Sequence, residues 1–249
     1  MLVHLIFALL AGSLIGAVLG LIGAGGAMLS VPILIYGFNF PPKLATVAAL
    51  AIVFAAAGAG VIPKLRAKKV LVREALVIWA LGLVTNIGGA LIAKHLSDNF
   101  ITYGFALILV AAGTSMLRGP IGESIEKKIP FGVLLIISLI IGSMTGIFGV
   151  GGGFLAIPVL VRFFHISIEK ASGTSLLIIA MNCLTAFIAH SEKWREINWS
   201  TPILMAIAAV LVSIYSSHQS AKVSPQKLRR AFAFLLYLIA LYSVMRTVK

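Results

Sequence analysis

Two glycine clusters carry the chemistry open to this sequence. The stretch "GLIGAGGAMLSVP" (20–32) places Gly23, Gly25 and Gly26 ahead of Pro32, and "GIFGVGGGFLAIP" (146–158) places Gly149, Gly151, Gly152 and Gly153 ahead of Pro158. Glycine at this density allows positive φ and close approach of another group. Inside an apolar stretch it ends one helix and starts another. The first N–H groups of the new helix then point into the break, backed by the positive end of the helix dipole. That is the chemistry of holding an anion. Neither cluster completes Gly-x-Gly-x-x-Gly with an acidic ribose partner, and no Gly-Lys-Ser/Thr follows, which excludes dinucleotide and P-loop readings.

The two clusters are copies of one another. Residues 16–32 and 142–158 match at seven of seventeen positions with an offset of 126, and the same offset lays "ATVAAL" (45–50) on "ASGTSL" (171–176). Duplication of a unit of four or five segments follows, a building plan common in secondary transporters. Gly16-x-x-x-Gly20 and Gly142-x-x-x-Gly146 are read as helix-packing stripes. The denser clusters are read as substrate lining.

Composition decides the solvent. The 249 residues are 60% hydrophobic and 11% charged, with a net charge of +13 and a mean hydropathy of +1.10. So many apolar side chains exceed what one soluble core of this size hides, and the solvent is lipid. The opening segment lacks the basic start of a signal peptide and is expected to stay as a membrane segment. Apolar segments fall at 2–22, 27–38, 44–63, 75–93 and 100–117, and again at 131–148, 154–165, 171–189, 200–217 and 230–245. The expected fold is an all-α polytopic membrane protein of two homologous halves, each of four long helices plus a short broken-helix segment. Residues 1–117 form the first transmembrane repeat, 118–130 a cytoplasmic linker and 131–249 the second repeat. Placing 64–73, 118–130, 162–170 and 219–230 inside puts 14 of the 20 Lys/Arg there; parallel halves put 12 inside. Positive charge gathers in cytoplasmic loops, so inverted repeats are favoured. Two breaks related in this way are expected to meet near the midplane.

Further polar residues join the candidate site. Thr46, Ser172, Thr174 and Ser175 lie at corresponding helix starts, where a hydroxyl either caps the helix or bonds a substrate. Asn86 and Asn182 lie within apolar segments, as interhelical glue or pathway lining. Lys64 and His190 stand 126 apart at helix ends and are expected to snorkel to the interface, although a histidine near a pathway also carries protons. Trp79, Trp194 and Trp199 read as interfacial anchors. The seven acidic residues all avoid the depths of apolar runs, unlike the midplane carboxylates of many cation-coupled carriers. Cys183 is a lone cysteine, which excludes an intrachain disulfide and a cysteine-ligated metal site. No spacing of His, Cys, Asp or Glu suits a metal, and no cofactor or nucleic acid is implied.

Two Gly-x-Gly-Gly…Pro motifs, each followed by a small or hydroxyl-rich helix start, resemble the TauE/SafE family of sulfite and organosulfonate exporters. The resemblance covers essentially the whole chain. Ala27 stands where the second copy has Gly153, and "ATVAAL" lacks the hydroxyls of "ASGTSL", so the halves are expected to contribute unequally. The resemblance implies export of small sulfur-containing anions such as sulfite, thiosulfate or sulfoacetate across the cell membrane (inner or plasma). It leaves room for a coupling proton or ion and for a homo-oligomer. The competing classes are an intramembrane enzyme and a membrane scaffold or assembly factor. An enzyme needs a nucleophile and base facing each other, and the available Ser/Thr residues have no buried His–Asp/Glu pair beside them; a scaffold needs a large extramembrane domain.

Overall fold

A computed structural model describes residues 2–24, 26–117, 131–149, 156–157, 160, 166–219 and 225–247. The first half contains α1 (Leu2–Ile22), α2 (Gly26–Pro32), α3 (Pro42–Arg66), α4 (Val72–Ala93) and α5 (Asp98–Leu117). The second contains α6 (Phe131–Phe148), α7 (Ile168–Ala189), α8 (Ser200–Gln219) and α9 (Pro225–Thr247). No strand occurs among the described residues. Six of these helices are long and apolar enough to cross a membrane: α1, α3, α4, α6, α7 and α8. Large apolar side chains such as Val84, Leu107, Leu211 and Phe234 face outward, which only a lipid solvent tolerates in such number.

Prolines set the local boundaries. Pro42 occupies the first turn of α3, where its missing N–H is no loss. Pro32 closes α2 and is followed by a π-helical turn, Ile33–Gly37, since a proline nitrogen cannot continue the regular bonding. The copy expected at 154–165 lies largely outside the described residues.

The halves exchange partners. The first helix of each half packs on the third long helix of the other, α1 on α8 and α6 on α4. Glycines make both approaches possible. A Cβ at Gly16 would lie 2.9 Å from the Ala209 Cα, and one at Gly20 would lie 2.6 Å from the Ser213 carbonyl oxygen. In the other pair, Cβ atoms at Gly142 and Gly146 would collide with the carbonyl oxygens of Gly82 and Asn86. Small-residue stripes of this kind let helix backbones touch where no hydrophobic effect drives them together.

The centre is the α3–α7 pair, two thirds of whose apolar stretches are buried, against 33–44% for the other four spans. The pair is antiparallel. Lys64, near the end of α3, bonds Ser172 near the start of α7, while Thr46, near the start of α3, shares a cleft with His190 just past the end of α7. Thr46 and Lys64 are therefore separated by about 27 Å of helical rise, close to the roughly 30 Å of a hydrocarbon core.

Replacing Gly142 with Ala should lower stability by about 1–3 kcal/mol through overpacking. Gly88→Ala, where a Cβ meets nothing within 4 Å, should be neutral or stabilising by about 0.5–1 kcal/mol. Thermal melts of the two variants in detergent check this. Equal behaviour would remove the packing role of the stripe.

Candidate functional site

Each half ends its first helix with a left-handed glycine, Gly23 (φ 79°) and Gly149 (φ 69°). The Gly23 and Gly149 N–H groups close α1 and α6 on the carbonyls of Leu19 (2.8 Å) and Thr145 (2.9 Å). Each turn then leans on the other half. A Cβ at Gly23 would lie 2.7 Å from the Ser172 Cα, and one at Gly149 would lie 2.8 Å from Thr46 Cγ2. Thr46 and Ser172 are themselves 126 residues apart, so the two contacts are copies with the halves exchanged. Lys64 donates to Ser172 Oγ at 2.7 Å, and its counterpart His190 places Nε2 3.0 Å from the Gly146 carbonyl oxygen. A carbonyl only accepts, so Nε2 carries the proton and Nδ1 is left as the basic nitrogen.

Three expectations change. The turns at Gly23 and Gly149 do not meet at the midplane. They sit at opposite ends of the α3–α7 pair, because each closes on a helix start and the two helix starts point in opposite directions. Lys64 and His190 do not snorkel: each is only 5% exposed and is bonded inward. Trp79 donates to Thr185 Oγ1 across α4 and α7 at 3.0 Å, a tie between helices instead of an interfacial anchor.

The remaining site residues divide by what their polar atoms already do. Thr46 Oγ1 bonds back to the Pro42 carbonyl at 3.0 Å. Thr174 Oγ1 donates to the Lys170 carbonyl at 2.7 Å and accepts the Leu71 N–H at 2.9 Å, holding the entry to α4. Ser175 is buried and engaged. Gly26 packs against α1, with the Ile15 carbonyl oxygen 2.6 Å from where a Cβ would stand. Gly25, Gly151, Gly152 and Gly153 lie outside the described residues.

Asn86 and Asn182 are brought together. Asn86 Nδ2 donates to the backbone oxygen of Asn182 at 3.0 Å and to its Oδ1 at 3.1 Å. Asn86 Oδ1 and Asn182 Nδ2 are buried without a hydrogen-bond partner, a costly state that a ligand or a water relieves. Asn182 lies ten residues after Ser172 and eight before His190 on α7, so this amide pair stands about halfway between the two turns.

Lys43, Thr46, Lys94, His190 and Lys193 are the polar lining of a largely apolar cleft at the Gly149 end. Two of these lysines are paired, Lys94 with Glu192 at 2.8 Å and Lys193 with Glu196 at 2.7 Å. No cluster of three or more metal-ligating side chains occurs among the described residues.

Lys64 and His190 are the functional candidates that sequence reasoning underrated. The signal for them was their shared offset of 126, which a helix-end position disguised as ordinary snorkelling.

Comparison with known proteins decides what this architecture is. A family model described as "Sulfite exporter TauE/SafE" matches residues 8–243. The chain belongs to the TauE/SafE family. A relative named "Probable membrane transporter protein" from Xylella fastidiosa (strain Temecula1) is 25% identical over 244 residues, 95% of this chain and 93% of its own. Similarly named proteins of Methanocaldococcus jannaschii and Bacillus subtilis are 22% and 23% identical, over 95% and 80% of this chain and 94% and 81% of theirs. No solved structure gives a significant match. This TauE/SafE chain is accordingly a multi-pass membrane transporter of the cell membrane.

In this TauE/SafE member the His190 imidazole is held below the usual histidine range, chiefly by burial and further by the Lys94 ammonium, against the opposing pull of the Gly146 carbonyl and Glu192. The unfolded chain therefore takes up a proton at this position before the folded one does. Stability should be level above the ordinary histidine value of about 6.5 and fall as pH drops below it, towards the lower folded value. His190→Gln should flatten that fall in melting temperatures recorded from about pH 7.5 to about pH 5. An identical slope in the variant would show that other groups cause it.

Proposed function

We infer that this protein exports small sulfur-containing anions, such as sulfite, thiosulfate or organosulfonates like sulfoacetate, by alternating access around its two glycine turns. Residues 1–117 and 131–249 act as inverted transmembrane repeats joined by a cytoplasmic linker, 118–130. The observation that carries the reading is the exchanged pair of turns. Each left-handed glycine of one half closes on a hydroxyl residue of the other beside a basic side chain, and the two copies stand at opposite ends of one buried antiparallel helix pair. Such a device offers an anion the same kind of station on each side, with the Asn86–Asn182 amides between them.

The distribution of charge supports the direction. Lys64 and the Gly23 turn lie at the end that carries the Lys/Arg-rich 64–73 loop, the cytoplasmic end by the positive-inside rule. The Lys43–His190 cleft then faces outward as the release station, and His190 offers a site for a coupling proton. Carboxylates among the described residues lie at helix ends or in connecting turns (Glu74, Asp98, Glu169, Glu192, Glu196), so none of them stands between the stations.

Sealed vesicles holding only this protein should accumulate labelled sulfite or a labelled small sulfonate above protein-free controls. Equal or better uptake of a monovalent cation would overturn the anion reading.

Topology is checked separately. In a Cys183→Ser background, single cysteines at Ala67 and Ser191 should react with an impermeant thiol reagent from opposite sides of the membrane. Labelling of both from the same side would rule out the inverted arrangement.

A further inference from the structure

Lys64 is the lysine or arginine that the structure buries among the described residues. Its ammonium has three protons to donate, and the acceptor available among those residues is Ser172 Oγ, at 2.7 Å. No carboxylate lies within ion-pair distance of it there. Glu169, whose charge bears on it from the same end, holds Lys69 at 2.7 Å instead. The partly exposed lysines 69, 94 and 193 each have an acid, while the buried one has none. That inverts the usual economy, since a buried charge is costly unless an opposite charge or a full set of hydrogen bonds compensates it. The Ser172 hydroxyl proton also lacks an acceptor among the described residues. Both unspent donors sit where the Gly23 turn closes on Ser172.

We propose that Lys64 is the fixed positive charge of an anion site at the Gly23 turn, binding a small sulfur oxyanion or sulfonate together with the Ser172 hydroxyl. The anion accepts from Lys64 Nζ and from Ser172 Oγ, while Oγ goes on accepting from Nζ. The inference rests on the anion-transport reading above and names the residue that supplies its charge selectivity. It also distinguishes the halves. The cytoplasmic station has a lysine where the outward station has a histidine. Around that histidine stand Lys43 from α3, Lys94 from the end of α4, and Glu192 and Lys193 from the turn after α7.

The test uses the full-length protein in detergent with sulfite and ethanesulfonate as probes. In the wild type both should raise the melting temperature in a saturable way. Lys64→Met should weaken that response by about ten-fold or more in apparent affinity, while leaving the ligand-free protein as stable as before or more so, because a buried unpaired charge is removed. Lys64→Arg keeps the charge and should recover part of the affinity. Lys64→Gln carries the same expectation as Lys64→Met and is read if the methionine variant does not fold. In unmodified wild type, ethanesulfonate should also slow reaction of Lys64 with a small amine reagent relative to the exposed Lys68. A folded Lys64→Met or Lys64→Gln protein with wild-type anion affinity would overturn the assignment and leave the transport reading standing, with Lys64 as a tie between the halves. Absence of protection at Lys64 despite saturable stabilisation would overturn it equally. A wild type that neither probe stabilises and that moves neither into vesicles would remove the anion reading and this site with it.

Discussion

Backbone contact along two glycine stripes is the constraint on which the rest of the molecule depends. In lipid, apolar side chains gain little by leaving the solvent, so helices stay together through close packing and internal hydrogen bonds. Gly16 and Gly20 against α8, and Gly142 and Gly146 against α4, bring main chains close enough for both. Ser216 Oγ reaches the Gly16 carbonyl at 3.2 Å, and His190 reaches that of Gly146. With α1 and α6 fixed on the opposite half, their left-handed ends have no place to go except onto the starts of α7 and α3. The turns, the buried cations and the antiparallel centre all follow from that placement.

Polar groups in the interior are managed by the same economy. Many hydroxyls return their proton to their own helix, as Thr46, Thr102, Ser138, Thr145, Thr174 and Thr185 do to the carbonyl four residues back. That arrangement satisfies the hydroxyl proton locally and leaves only the oxygen for a neighbour, as Thr174 and Thr185 offer theirs to Leu71 and Trp79. Against this background the incompletely satisfied groups stand out: the outer atoms of the Asn86–Asn182 pair, Ser213 Oγ, and the Lys64 ammonium with its serine. Ser213 faces Gly60, where α3 and α8 cross closely, so its position belongs to packing. Asn182 and the lysine belong to the α3–α7 pair, which Asn86 reaches from α4.

Much of this was legible in the residues themselves. Apolar runs at 44–63, 75–93 and 171–189 became helices two to three residues longer at one or both ends, because prolines and charged residues that dilute hydropathy still fit a helix end. The stripe glycines were recognisable from their four-residue spacing. The positive φ at Gly23 and Gly149 fits the positions that repeat across the offset of 126. What the sequence could not convey was depth. Loop charge favours halves that run against each other, but neither it nor an offset says where along the helix axis each break sits, and closure on the opposite starts of α3 and α7 turns an expected meeting of the breaks into a separation of about 27 Å. Lys64 and His190 were misjudged for a related reason. A charged residue near a helix end ordinarily reaches water, and only the packing of the other half over that end closes the route.

The exchange of partners also bears on how the protein is made. The glycine face of α1 emerges from the ribosome well before the helix it fits, which begins at Ser200. The first half must wait in the membrane with its narrowest face uncovered until α8 has been inserted. For α6 and α4 the order is reversed, and the receiving helix is already present when its partner arrives. Assembly is therefore staggered: one interlock closes once α6 is inserted and the other only after α8, so a chain cut short after the first half retains a groove that nothing of its own can fill.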